Sequence, residues 1–354
     1  MIERNSAMRA LNIGQGDKQM RRSKVTCAML IVLLLMVVAP TQISTAQAPV
    51  EPGVDLIILI DQSGSMEYGV RLDDDDDAGG RTPPTDPDGR RVYTARYLID
   101  YMAFDNLYVN KQRTNRVLVI GFGSPERTHV MVPLTPLKDE TEVEEAKSLV
   151  EEGFLEGTSF LSAFRTVSAQ FPPPAEDTAL TTGLRRRMIV VITDGGPYEN
   201  GPVDYEEYFD ELETVYSELG AEYYPTYVIG IDDQDIYWSR VEDLWEDHVT
   251  GEGNAIRVET VDEVNTRVVE AVCPFLNPDA TSAECRLQDI GDHFIPPYAR
   301  TVSFSFFKYQ EETEITLLRP QSSGETGGSE VVVEPQWDSD ILNYEDTPRD
   351  QLYG

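Results

Sequence analysis

Val54-Asp-Leu-Ile-Ile-Leu-Ile-Asp61-Gln-Ser63-Gly-Ser65-Met66 is the stretch whose reading decides the fold of this chain. The apolar run Leu56 to Ile60 has the length of a strand, and a strand without polar alternation is covered on both faces, as in a parallel sheet. It empties into Asp61-Gln62-Ser63-Gly64-Ser65, which sets one carboxylate and two hydroxyls on a tight turn at the strand's carboxyl end. Open α/β sheets bind ligands beyond the carboxyl ends of their strands. Magnesium favours a few rigid oxygen ligands and keeps some of its waters, so short side chains on a glycine-containing turn suit it.

One turn rarely completes an octahedron, so this reading requires oxygen donors at the ends of later segments. Glu156-Gly157-Thr158-Ser159 precedes a helical pattern, and the run Met188 to Ile192 ends in Thr193-Asp194-Gly195-Gly196-Pro197. With Asp61, Ser63, Ser65, Thr158 and Asp194 in this order, the chain from Val54 to Phe275 resembles the von Willebrand factor type A family and its metal-ion-dependent adhesion site. The resemblance implies that Ser63, Ser65 and Thr158 bind a divalent cation directly through their hydroxyls, with Asp61 and Asp194 acting largely through waters. It further implies magnesium, or manganese or calcium, as the cation. The partner implied is a protein or extracellular-matrix ligand that fills an open coordination position with an acidic side chain.

The chain on either side alternates strand and helix. Val92, Ala95, Leu98 and Met102 fall at near-helical spacing, as do Val143, Ala146 and Val150, and Phe160, Phe164 and Val167. Val117 to Phe122 and Thr128 to Leu134 read as strands joined by Gly123-Ser124-Pro125, short enough for an antiparallel hairpin. Met188 to Ile192 and Tyr227 to Ile231 are further buried strands, separated by a helix lined by Tyr205, Phe209, Leu212 and Tyr216. A helix over 235–247 and a strand from Ala255 to Glu259 follow, and Thr260 with Glu263 predicts a capping box for a last helix carrying Val261, Val264 and Val268. Short loops and strict alternation predict an α/β fold, a doubly wound, mostly parallel sheet flanked by helices in the Rossmann manner. Beyond Cys285, Thr301 to Phe307, Glu314 to Leu318 and Val331 to Glu334 read as a small all-β segment, short for a complete β-sandwich.

Composition narrows the function. The formal charge is -34 over 354 residues, which repels nucleic acid and anionic lipid heads and favours cations or basic partners. Arg21, Arg22 and Lys24 precede an apolar run from Val25 to Ala39, and Ser44-Thr45-Ala46 offers small residues for cleavage, the pattern of a secretory signal peptide. The run is short for a spanning helix, so a membrane enters only through a retained N-terminal anchor. With Cys27 removed in processing, Cys273 and Cys285 remain, to be read as a disulfide or as two free thiols. A bridge there would contribute about 3 kcal/mol in the chain-entropy model.

The expected layout is a signal peptide over 1–46, a linker over 47–53, the α/β domain over 54–275, a second linker over 276–299 and the β-rich segment over 300–354. An acidic insert, 67–90, separates the serine turn from the first long helix and carries Asp73 to Asp77. It reads as a solvated loop, as a calcium cluster, or as the source of an aspartate that fills the open coordination position. Three functions compete: a secreted or cell-surface, non-enzymatic binding module, a metal-dependent hydrolase, and an intracellular chelatase-type subunit; a structural extracellular domain with a vestigial site is the remaining alternative. The chain has neither a histidine close to the motifs in sequence nor a Gly-x-Ser-x-Gly elbow, which counts against hydrolysis. No Gly-x-x-x-x-Gly-Lys-[Ser/Thr] loop is present either.

Overall fold

The computed structural model describes residues 51–68, 83–109, 112–199, 201–232, 238–278 and 285. The stretches expected to form a signal peptide and a β-rich segment, and Asp73 to Asp77, lie outside them. The chain divides into two compact units, Met1–Val50 and Glu51–Gly354, and every described residue belongs to the second.

Six strands form one sheet in the order β3-β2-β1-β4-β5-β6. They are β1 (Gly53–Asp61), β2 (Arg116–Phe122), β3 (His129–Pro136), β4 (Arg185–Thr193), β5 (Thr226–Ile231) and β6 (Ala255–Val258). Only the β2–β3 pair is antiparallel, the expected edge hairpin; β1 lies in the centre, parallel to both β2 and β4. The motif strand is thus covered on both faces, as its unbroken apolar sequence requires.

Alternate residues of β1 feed two separate cores. Leu56, Ile58 and Ile60 pack with helices α2 (Arg90–Phe104), α3 (Glu140–Leu149) and α8 (Val261–Leu276). Ile57 and Leu59 pack on the other face with α4 (Phe160–Ala169), α6 (Tyr205–Leu219) and α7 (Trp238–Trp245). Two short helices, α1 (Gly64–Tyr68) and α5 (Thr178–Thr181), add Met66 to the first core and Leu180 to the second.

Local chemistry sets the helix starts. Asp139 accepts from the Glu142 amide at 3.0 Å, and Asp204 from that of Glu207 at 3.2 Å, each satisfying a donor that the helix leaves free. The predicted capping box at α8 is corrected. Thr260 is the N-cap residue, but its hydroxyl donates to the Glu263 carboxylate at 3.3 Å rather than accepting from the helix backbone. The helix over 235–247 is narrower among the described residues, Trp238–Trp245, and passes into a π-turn over Glu246–Thr250. Cys273 and Cys285 form a disulfide, which decides between the two readings left open above.

Candidate metal centre

The motif residues converge at the carboxyl end of the sheet. Asp61, the last residue of β1, is fully buried. One of its oxygens accepts from the Ser63 amide at 2.8 Å and the other from the Thr193 hydroxyl at 2.6 Å. Ser63 Oγ and Ser65 Oγ share a hydrogen bond of 2.9 Å, and Ser65 Oγ donates to Asp194 Oδ1 at 2.9 Å. Four of the five candidate residues are therefore linked through side chains, or through the turn they sit on, across two neighbouring strands.

Thr158 is placed by backbone alone. Its amide donates to the Tyr198 carbonyl at 2.7 Å and the Tyr198 amide returns a bond of 2.9 Å, so Thr158 is tied to the loop that follows Asp194. The residue before it, Gly157, has φ +68°, and a Cβ there would lie 2.8 Å from the Tyr198 carbonyl oxygen, so only glycine fits the turn. Glu156 shares the left-handed region at φ 38°, a strain that a non-glycine residue adopts rarely. The Thr158 hydroxyl makes no hydrogen bond among the described residues although the side chain is almost wholly buried.

Four residues that the motif does not contain complete the centre. Gln62 fastens the serine turn to the loop before Thr158: its side chain accepts from the Gly153 amide at 2.8 Å and donates to the Glu151 carbonyl at 3.2 Å. Arg91, in the first turn of α2, is fully buried and donates to the Asp61 carbonyl at 2.8 Å and to the Asp86 carboxylate at 2.8 Å. Asp86 also accepts from the amides of Arg90 and Arg91 at 2.7 and 2.9 Å, capping α2 from outside the helix. Thr85 donates to Asp194 Oδ2 at 2.5 Å. Thr85 and Asp86 belong to the far end of the insert, where a polar composition signals only a loop; Thr193 was visible within the Thr-Asp-Gly run.

Two buried carboxylates face the same small space. Asp194 is pushed up to about 7, first by burial and then by the charge of Asp61, against the hydrogen bonds from Thr85 and Ser65. Burial also raises Asp61, against its bonds from Thr193 and Ser63. Arg91 offsets part of this negative charge, but its side chain is already paired with Asp86. Three hydroxyls and two carboxylates, all oxygen and short of positive charge, fit a hard divalent cation and offer no sulfur or imidazole to a softer metal. The described histidines bond elsewhere, His129 at the Arg127 carbonyl and His248 at Glu213.

Residues 56–197 match the family model of the von Willebrand factor type A domain. Among solved structures, the pilus adhesin SpaC from Lactobacillus rhamnosus GG aligns at 15% identity with a TM-score of 0.45, covering 66% of this chain and 31% of that one. Proximal thread matrix protein 1 from the mussel byssus, solved with a zinc-occupied MIDAS motif, aligns at 16% identity and TM-score 0.41, covering 63% and 48%. The adhesive tip pilin GBS104 from Group B Streptococcus agalactiae aligns at 11% identity and TM-score 0.40, covering 63% and 100%. The chain thus spans less than half the length of the first two. No curated protein sequence matches it. Among the described residues, no helix is long and apolar enough to cross a membrane.

Proposed function

We propose, from the premise that this chain carries a von Willebrand factor type A domain, that it is an exported, metal-dependent binding module of the adhesion type. The observation that supports the reading most is the pair of buried carboxylates, Asp61 and Asp194, set among the hydroxyls of Ser63, Ser65 and Thr158 at the carboxyl end of the sheet. Ser63, Ser65 and Thr158 would hold a magnesium, manganese or calcium ion directly, and Asp61 and Asp194 would hold it through water. When bound, the ion supplies a Lewis-acidic position that accepts a carboxylate oxygen from a partner, since neutral hydroxyls leave much of its charge uncompensated. The chain's own residues keep the two aspartates dry, aim the serine hydroxyls with fixed hydrogen bonds and anchor the serine turn to Arg91 and, through Gln62, to the loop before Thr158. Export through residues 1–46, a domain over 54–275 and a partner outside the cell or on its surface belong to the same proposal.

Calorimetric titration of magnesium, manganese and calcium into the chelator-stripped chain tests it. Saturable one-to-one binding is expected; the absence of binding by all three ions would end the proposal.

Thr85 provides a second check. Its hydroxyl fixes the outer oxygen of Asp194 from the returning end of the insert. Thr85→Val is expected to weaken cation affinity about three- to tenfold, the worth of one ordinary hydrogen bond. Unchanged affinity in the same titration would reduce Thr85 to a cover over the centre.

A further inference from the structure

Among the described residues, six large apolar side chains remain exposed, and three of them stand at the candidate metal centre: Tyr68, Phe154 and Tyr198, at 49%, 42% and 50%. Their positions are not scattered. A Cβ on Gly64, the residue between the two site serines, would lie 2.7 Å from the Phe154 ring, so Phe154 lies directly on the serine turn. Tyr68 meets Phe154 edge to face with ring centroids 5.3 Å apart. Tyr198 stands on the opposite side, its backbone paired with Thr158 and its loop held where the next residue, Glu199, accepts hydrogen bonds from Ser159 and from Tyr208. The serine turn and the threonine of the motif thus each carry an exposed aromatic ring.

Two exposed acids stand at this rim, each with an arginine beside it. The Glu152 side chain is 45% exposed beside Gly89 and lies 3.8 Å from the buried Arg91, and Glu156 is 61% exposed with Arg127 as its ion-pair partner at 3.3 Å. The chain as a whole carries a formal charge of -34. Exposed aromatic rings at a polar centre are the residues that most often dominate binding energy at protein interfaces, and complementary charge selects among partners. A bare acidic surface would meet repulsion here; an acid with cationic neighbours would not.

We propose that Tyr68 and Phe154 on one side and Tyr198 on the other form an aromatic rim that reads the residues flanking the captured acid. The partner is a protein segment in which one Asp or Glu is bracketed by apolar and basic side chains. This rests on the metal-dependent capture proposed above. The apolar neighbours of the acid lie against the rings, and its Lys or Arg neighbours meet Glu152 and Glu156.

Selection from a displayed library of random dodecapeptides on the full chain in saturating magnesium tests the rim and the capture separately. The expected result is enrichment of peptides holding one acid beside aromatic or aliphatic residues and at least one Lys or Arg, with binding lost in chelator. The best such peptide should bind Phe154→Ala and Tyr198→Ala about tenfold or more weakly, while both variants keep magnesium affinity within about twofold. Tyr198→Ala is the decisive variant if Phe154→Ala disturbs the serine turn, because the Tyr198 contribution to Thr158 is through backbone. Chelator-sensitive peptides with an acid but no apolar or basic preference, or with full affinity for Tyr198→Ala, overturn the rim and leave capture standing. Peptides that bind without an acid or equally well in chelator, or failure to enrich any peptide, overturn both.

Discussion

Asp194→Asn is expected to abolish divalent-cation binding and, in the same protein, to raise the stability of the metal-free state. Burial and the neighbouring Asp61 hold the Asp194 carboxyl at about 7, far above the ordinary carboxylate range, so at pH 8 the metal-free fold keeps the Asp194 charge buried beside Asp61 at a cost. A group whose folded pKa is raised adds stability that is fully present below its unfolded pKa, near 4, and is lost as pH rises through the folded value. Metal-free wild type should therefore be more stable at pH 5 than at pH 8. The asparagine variant lacks this titration and should surpass wild type at pH 8 by about 1–3 kcal/mol, or roughly 2–10 °C in Tm. The amide oxygen can still accept from Ser65, so the local bond is preserved. In saturating magnesium the order reverses, because only wild type is stabilised by mass action. Thermal unfolding of both proteins in chelator and in magnesium, at both pH values, reads all four arms. A variant less stable than wild type in chelator at pH 8 would mean that the hydroxyl donors and Arg91 already satisfy Asp194, and would remove the electrostatic argument for the centre.

Asp55→Ala should be the most damaging single substitution to the fold. Asp55 is fully buried near the start of β1, at the end of the sheet opposite the candidate centre. It accepts from Arg116 Nε and Nη2, both at 2.7 Å, from Arg185 at 2.9 and 2.5 Å, and from Arg187 at 3.3 Å. Burial alone would raise its pKa, yet the arginine bonds and charges outweigh burial and hold it below the usual range. A depressed carboxylate adds stability that is present above its unfolded pKa and lost as pH falls through its folded value. Removing the acid strands the buried Arg185 guanidinium, which keeps only carbonyl partners, while Arg187 keeps Asp177. The expected loss is about 3–5 kcal/mol, a large fraction of the net stability of a typical domain. Denaturant unfolding would show it as a lower midpoint with an unchanged slope. A loss under about 1 kcal/mol would mean that solvent reaches the arginines.

The helices and strands that build the centre were readable because their apolar residues repeat at the period of the element, as Leu56 to Ile60 and the Phe160, Phe164, Val167 stripe do. Thr85, Asp86 and Arg91 were not readable. The bonds from Thr85 to Asp194 and from Arg91 to the Asp61 carbonyl join residues 109 and 30 positions apart, and Asp86 acts by holding Arg91 in place. The disulfide was half readable: composition offered the pair, and packing of Cys273 and Cys285 against Tyr97 and Val269 brought it together. The capping box at Thr260 illustrates the reverse error, in which a local pattern held its place but the two side chains bonded each other.

By itself, the sequence determined an α/β sheet with a central strand that ends in Asp61, Ser63 and Ser65, and the order in which Thr158 and Asp194 follow. Those are properties of short-range pattern and of residue chemistry. Tertiary structure alone decided that Thr158 is placed through the backbone of Tyr198, that the insert returns to put Thr85 on Asp194, that Arg91 lies buried behind Asp61, and that three aromatic rings surround the centre. Each of these depends on contacts between segments distant in sequence. Such contacts form only when packing of the two cores brings the loops at the carboxyl end of the sheet together, and no periodicity within any one segment encodes them.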